Sequence, residues 1–145
     1  MLKTFLVEDE VVIREMIKKM IPWEQYGFEL AGEASDGEMA LPLILKSKPD
    51  LLITDIKMPF MDGLELAKVV RRTMPWLRIV FLSGHDEFEY AQKAVSLHAD
   101  AYLLKPVSDE SLCDCFSRFL TENSGRSAAV QEKPGDPLGG RKQPQ

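Results

Sequence analysis

The stretch Leu51-Leu52-Ile53-Thr54-Asp55-Ile56-Lys57-Met58-Pro59-Phe60-Met61-Asp62-Gly63 runs from a buried strand into a loop through a single acid. Lys48-Pro49-Asp50 punctuates the chain before it, and the apolar run 51–54 has the length of one strand. Pro59 and Asp62-Gly63 mark the loop, and a helix is predicted from Leu64 to about Thr73, stopping before Pro75.

The same unit recurs on either side. Residues 3–7 read as a first strand, followed by a helical stripe of Ile13, Met16, Ile17 and Met20 that Pro22 closes. Trp23, Tyr26 and Phe28 gather around a turn at Gly27, and a second, shorter strand is predicted at 29–34. Ser35-Asp36-Gly37 starts a helix to about Lys46, which Pro42 is expected to bend or loosen by removing one backbone hydrogen bond. Strand four is predicted at 78–82, an amphipathic helix from Asp86 to Leu97, strand five at 101–104 and a last helix from Asp109 to about Leu120. Strands alternating with helices of about ten residues argue for a doubly wound α/β fold, a parallel sheet covered on both faces. Such sheets carry function at the carboxyl ends of their strands.

What stands at those ends is chemically coherent. Strand one runs into Glu8-Asp9-Glu10, strand three into Asp55, strand four into Ser83 and strand five into Lys105-Pro106. Acids brought together raise one another's pKa unless a cation joins them. A hard, oxygen-seeking ion such as Mg2+ suits that set. Asp55, on the central strand, is then a candidate nucleophile toward phosphorus, giving an acyl phosphate. Lys105 would supply an ammonium on the other side and Ser83 a hydroxyl donor. Glu10 reads as a solvated turn residue.

At 145 residues the chain supports one domain with a core of its own. Its apolar runs fall far short of the roughly 20 residues that a membrane span needs. The run after Lys3 is too short for a signal-peptide core, so the expectation is a cytoplasmic protein without a membrane partner. Cys113 and Cys115 lack the further ligands of a structural zinc site, which takes about four. Residues 123–145 hold four bases and two acids, net +2, so the chain total of −5 leaves residues 1–122 at −7. So acidic a domain is ill suited to bind nucleic acid directly. The tail itself, poor in large apolar residues and rich in Gly, Pro, Ser and Gln, reads as a disordered tail, a linker or an expression remnant.

With those residues in place, residues 1–122 resemble the receiver domain of bacterial two-component response regulators. The motifs LVEDE, ITDIKMPFMDGLEL, FLSGHDEFEYAQKA and AYLLKPV carry the resemblance, in the family's order and spacing. It implies a flavodoxin-like (βα)5 fold with strand order 2-1-3-4-5. It implies that Asp55 accepts a phosphoryl group from a sensor histidine kinase. Mg2+ would be held by Asp9, Asp55 and the backbone carbonyl of Lys57, with Glu8 acting directly or through a water. Ser83 and Lys105 fall on the family's switch hydroxyl and lysine, and Tyr102 on its switch aromatic. Lys105-Pro106 falls where the family has a cis peptide bond. Lys57 and His85 fall on positions that tune phosphoryl lifetime, and their bulk is expected to shield the acyl phosphate from water.

Phosphorylation would draw Ser83 inward, let Tyr102 follow and reshape the face of helix 4, strand 5 and helix 5 for a second copy or an effector. PWEQYGFEL and LSGHDEFEYAQKAV look most like receivers joined to AraC-type helix-turn-helix domains, which implies a transcriptional output. A stand-alone receiver working through protein contacts or a phosphorelay is the alternative. A turnover phosphatase of similar topology would want an acid where Lys57 stands, so the chain is expected to be an acceptor rather than an enzyme. A nucleotide or flavin binder would want a glycine- or hydroxyl-rich loop where Glu8-Asp9-Glu10 stands.

Overall fold

The computed structural model describes residues 1–84 and 88–122. Elements alternate along the chain: β1 (Leu2–Val7), α1 (Val11–Met20), β2 (Phe28–Ala34), α2 (Gly37–Ser47), β3 (Leu51–Asp55), α3 (Gly63–Thr73), β4 (Arg78–Ser83), α4 (Phe88–Ser96), β5 (Ala101–Leu104) and α5 (Asp109–Glu122). A 3-10 turn at Trp23–Tyr26, closed by Gly27 at φ 79°, fills the predicted aromatic corner. The five strands form one sheet in the order β2-β1-β3-β4-β5, every neighbouring pair parallel, as expected.

The burial of each strand follows its place in that order. Central β3 and β4 are buried at every residue, so they read as continuous apolar runs rather than alternating ones. Their side chains divide between two cores. Leu52, Ile79 and Phe81 face a cluster built with Ala40, Ile44, Leu66, Val70 and Ala94 from α2, α3 and α4. Leu51, Ile53, Val80 and Leu82 face Ile17, Leu112, Phe116 and Phe119 from α1 and α5. Phe116 anchors the second core, with the rings of Phe28, Trp23 and Tyr26 at 5.1, 5.5 and 5.7 Å.

The helix ends are chemically defined. The Asp36 side chain accepts from the Met39 N–H at 2.8 Å to open α2. Asp62 and Glu65 form a reciprocal capping box at the start of α3. Pro42 does not end its helix, which runs unbroken from Gly37 to Ser47. Pro42 and Glu38 both lie on the exposed side, so the carbonyl relieved of its partner faces solvent rather than the core. Phe60, in the loop after β3, sits in the left-handed region at φ 69° with its side chain exposed. The predicted tail and His85 lie outside the described residues. Among those described, no helix is long and apolar enough to cross a membrane.

Candidate functional site

The carboxyl edge of the sheet gathers the residues predicted to meet there. β1 ends one residue before Glu8, β3 ends on Asp55, β4 ends on Ser83, and β5 ends one residue before Lys105. Backbone bonds lock these strand ends together: Ile56 N–H donates to Leu82 O at 3.0 Å, and Lys105 N–H to Ser83 O at 2.8 Å. The Lys105-Pro106 peptide is cis. The Lys105 ammonium lies 3.0 Å from Asp55 Oδ2 and 2.9 Å from Glu8 Oε1, with Glu10 Oε1 farther out at 3.8 Å.

Burial separates the acids. Glu8 is fully buried and Asp55 nearly so, whereas Asp9 and Glu10 are exposed at the rim. Burial pushes the Glu8 carboxyl up to about 7; the Lys105 ammonium and the Glu10 N–H oppose the shift, and the Asp55 charge adds to it. Burial raises the Asp55 carboxyl as well; Lys105 opposes this, and the neighbouring Asp9 carboxyl adds to it. Burial by itself would lower the Lys105 pKa. The hydrogen bonds to Glu8 and Asp55 outweigh it and hold the lysine above its usual value.

Carboxylate oxygens of Glu8, Asp9 and Glu10 all lie within 4.8 Å of one another, and the Asp9 carboxyl meets that of Asp55. One ammonium cannot balance so many acids. An all-oxygen, negatively charged donor set with an exposed side fits Mg2+, which retains several waters.

Metal-free protein should record this imbalance in its stability. The Glu8 carboxyl ionises at its ordinary value in the unfolded chain, 4.5, and only near 7 in the folded one. Between those values the folded state holds the extra proton. Stability is therefore fully present below the lower value and falls as pH rises, by about 1 kcal/mol per pH unit across that window. The raised Asp55 carboxyl acts with the same sign from its own ordinary value. Urea denaturation in EDTA across that range is expected to show the decline, and Glu8→Gln to flatten most of it. A wild-type midpoint that does not move with pH contradicts this electrostatic picture.

Ser83 is buried at the end of β4, facing Leu104 across the sheet. Tyr102, two residues back along β5, is half-buried against the core that α3 and α4 cover. Lys57 is exposed beside Asp55. Three contributors were not evident from the sequence. Glu10, read as a turn residue, borders the ammonium, and its N–H donates to Glu8 Oε2 at 3.1 Å. Arg14, one turn into α1, donates to the Glu8 carbonyl at 2.6 Å while pairing with Glu33 at 3.1 Å. Gly63, seen only as a turn residue, lies so near Asp55 that a Cβ there would stand 2.0 Å from the Asp55 carbonyl oxygen. The acidic triplet was a signal for Glu10; nothing local marks Arg14.

Comparison with known proteins agrees with this geometry. The response regulator receiver domain family model matches residues 4–117. The chain is 38% identical over 122 residues to the transcriptional regulatory protein YesN of Bacillus subtilis, covering 84% of this chain and 33% of that protein. It is 39% identical over 144 residues to the transcriptional regulatory protein HptR of Staphylococcus aureus, covering 95% of this chain and 56% of that one. The chain thus spans between a third and little more than half the length of these relatives. Among solved structures, the REC domain of AraT, a response regulator from Geobacillus stearothermophilus, superposes with a TM-score of 0.79 at 40% identity, covering 83% of this chain and 94% of that one. A receiver domain protein from Methanospirillum hungatei superposes at 0.75 with 26% identity, covering 84% and 95%. A (βα)5 sheet in the order 2-1-3-4-5, an acid-lined carboxyl edge with its lysine, and a family match across most of the described residues lead to one conclusion: the chain belongs to the response regulator receiver domain family.

Proposed function

We propose that Asp55 accepts a phosphoryl group from the phosphohistidine of a sensor kinase. The observation that carries this reading is the Lys105 ammonium 3.0 Å from Asp55 Oδ2, at the end of the central strand. An Asp55 carboxylate oxygen attacks phosphorus, and the P–N bond to the histidine breaks. The imidazole nitrogen leaves with the electron pair and takes a proton from solvent, so that an acyl phosphate remains on Asp55. Lys105 neutralises phosphoryl oxygens as they approach, and Ser83 offers them a hydroxyl donor. Asp9, Asp55 and the Lys57 carbonyl would hold Mg2+, which would supply positive charge to offset that of the phosphoryl group.

The domain then acts as a switch rather than a turnover enzyme. Inward movement of Ser83 and Tyr102 would reshape the surface of α4, β5 and α5, where Val95, Leu104 and Leu120 are exposed. That surface would pair with a second copy. The relatives are transcriptional regulators longer than this chain, which supports a cytoplasmic role controlling transcription through a DNA-binding domain of the AraC type.

Incubation with Mg2+ and acetyl phosphate, followed by intact-mass measurement, tests the reading. A gain of one phosphoryl group is expected for the wild type. Asp55→Asn, or EDTA, should abolish it. No gain even with a cognate kinase present would overturn the proposal.

A further inference from the structure

The outer faces of the helices differ in chemistry. α3 shows Glu65, Lys68, Arg72 and Thr73 to solvent, the ordinary polar side of a helix packed on a core. α2 buries Gly37, Ala40 and Ile44 in the same way, yet its exposed side carries Met39, Pro42, Leu43 and Leu45. Met39, Leu43 and Leu45 are 56, 45 and 38% exposed, and none of them joins either core. Met39, Pro42, Leu43 and Lys46 recur at the spacing that places residues on one side of a helix.

Two charges frame this apolar stretch. Glu38 lies four residues before Pro42 and Lys46 four residues after it. Both are exposed, and neither has an ion-pair partner among the described residues. Pro42 brings no N–H to the Glu38 carbonyl, so that acceptor is open as well. The pattern of acid, apolar stretch and base is its own complement when reversed. An antiparallel copy of the helix, related by a two-fold axis beside Pro42, lays its Lys46 next to this Glu38 and its Glu38 next to this Lys46. Each ammonium then meets a carboxylate and the carbonyl that lacks an N–H, while Met39 and Leu43 of the two copies alternate along the contact.

We propose that the outer face of α2 is a self-pairing surface, on which two copies of this chain meet antiparallel through Met39, Pro42 and Leu43, with Lys46 of each beside Glu38 of the other. The surface shares no residue with α4, β5 or α5, and pairing through it needs no phosphoryl group. One helix face buries less than the roughly 800 Å2 per partner of a standard interface, so the pairing is weak, with a dissociation constant of about 1 µM to 1 mM.

Sedimentation equilibrium of the unphosphorylated full chain, at concentrations up to about 1 mM, tests this. The wild type is expected to pass reversibly from monomer to dimer. Leu43→Glu sets two like charges against each other near the two-fold axis and should weaken the dimer about tenfold or more. Leu120→Glu, on α5, should pair like the wild type. Lys46→Glu alone opposes acid to acid and should weaken pairing, whereas Glu38→Lys combined with Lys46→Glu reverses both charges and should restore it. All the changed residues are exposed, so the variants should fold, which circular dichroism checks. A wild type that stays monomeric throughout would overturn the proposal. So would pairing that is kept in Leu43→Glu, or a double variant that pairs no more tightly than Lys46→Glu.

Discussion

Phe116→Ala is expected to cost about 3–5 kcal/mol, the range for emptying an aromatic site in a packed core. Phe116 is fully buried and joins α5 to the 3-10 turn and to the start of β2. Trp23 and Phe28 meet its ring edge-on at 5.5 and 5.1 Å, Tyr26 is tilted against it at 5.7 Å, and Phe119 lies at 5.9 Å along the same helix. Those neighbours are anchored on different elements, so they cannot all collapse into the space left behind. A domain of this size has about 5–15 kcal/mol in total, so the variant should lose much of its stability. Urea denaturation should show a lower midpoint with a nearly unchanged slope. The half-exposed Leu120, changed to Ala, serves as control, with an expected change within about 0.5 kcal/mol. A Phe116 variant as stable as that control would contradict the two-core description.

Gly63→Ala is expected to damage the site and the fold together. The added Cβ would stand 2.0 Å from the Asp55 carbonyl oxygen, 3.0 Å from its carbon and 3.1 Å from the Ile56 Cα, all of them backbone atoms. Nothing flexible lies in the way, so either α3 retreats or Asp55 moves. Retreat breaks the bond from the Gly63 N–H to Ile56 O at 2.8 Å and pulls on the Asp62–Glu65 capping box. Overpacking of this kind costs about 1–3 kcal/mol. Displacing the proposed acceptor by about 1 Å is expected to cost on the order of a hundredfold in rate. The time course of phosphorylation by acetyl phosphate, followed by intact mass on protein shown to be folded, should slow by about that factor. Gly27 provides the contrast. A Cβ there meets nothing within 4 Å, so Gly27→Ala should cost only the strain of a left-handed φ, about 1 kcal/mol. It should leave the phosphorylation rate alone. Equal, wild-type rates in both variants would show that the contact between Gly63 and Asp55 does not constrain the acceptor.

Much of this architecture is legible in the residues themselves. Leu51–Asp55 and Arg78–Ser83 are buried on both faces, so their sequences are continuous apolar runs that announce central strands. Each ends where its polar residue meets the sheet edge, which is why Asp55 and Ser83 can be picked out without coordinates. The division of the Glu8-Asp9-Glu10 triplet is not legible in that way. β1 is buried on both sides near its end, so no alternation of apolar and polar residues tells which acid turns inward. That depends on the register of β1 against β2 and β3 and on the grip of Arg14. The burial around Pro42 is hidden for a related reason: a proline harms a helix most where its freed carbonyl is buried, and the sequence does not reveal that Glu38 is exposed. The closeness of Gly63 to Asp55 is a property of the path of the loop, since a glycine after an aspartate has the same local signature wherever a turn is needed.

The central claim is that the charge gathered at this sheet edge serves one acceptor. Borohydride reduction of protein treated with Mg2+ and acetyl phosphate tests it most directly, because an aspartyl phosphate is converted to homoserine at the residue that carried it. Peptide mass spectrometry is expected to find homoserine at position 55. Homoserine at Asp9 or elsewhere instead, or none after a phosphoryl group has been gained, would contradict the account.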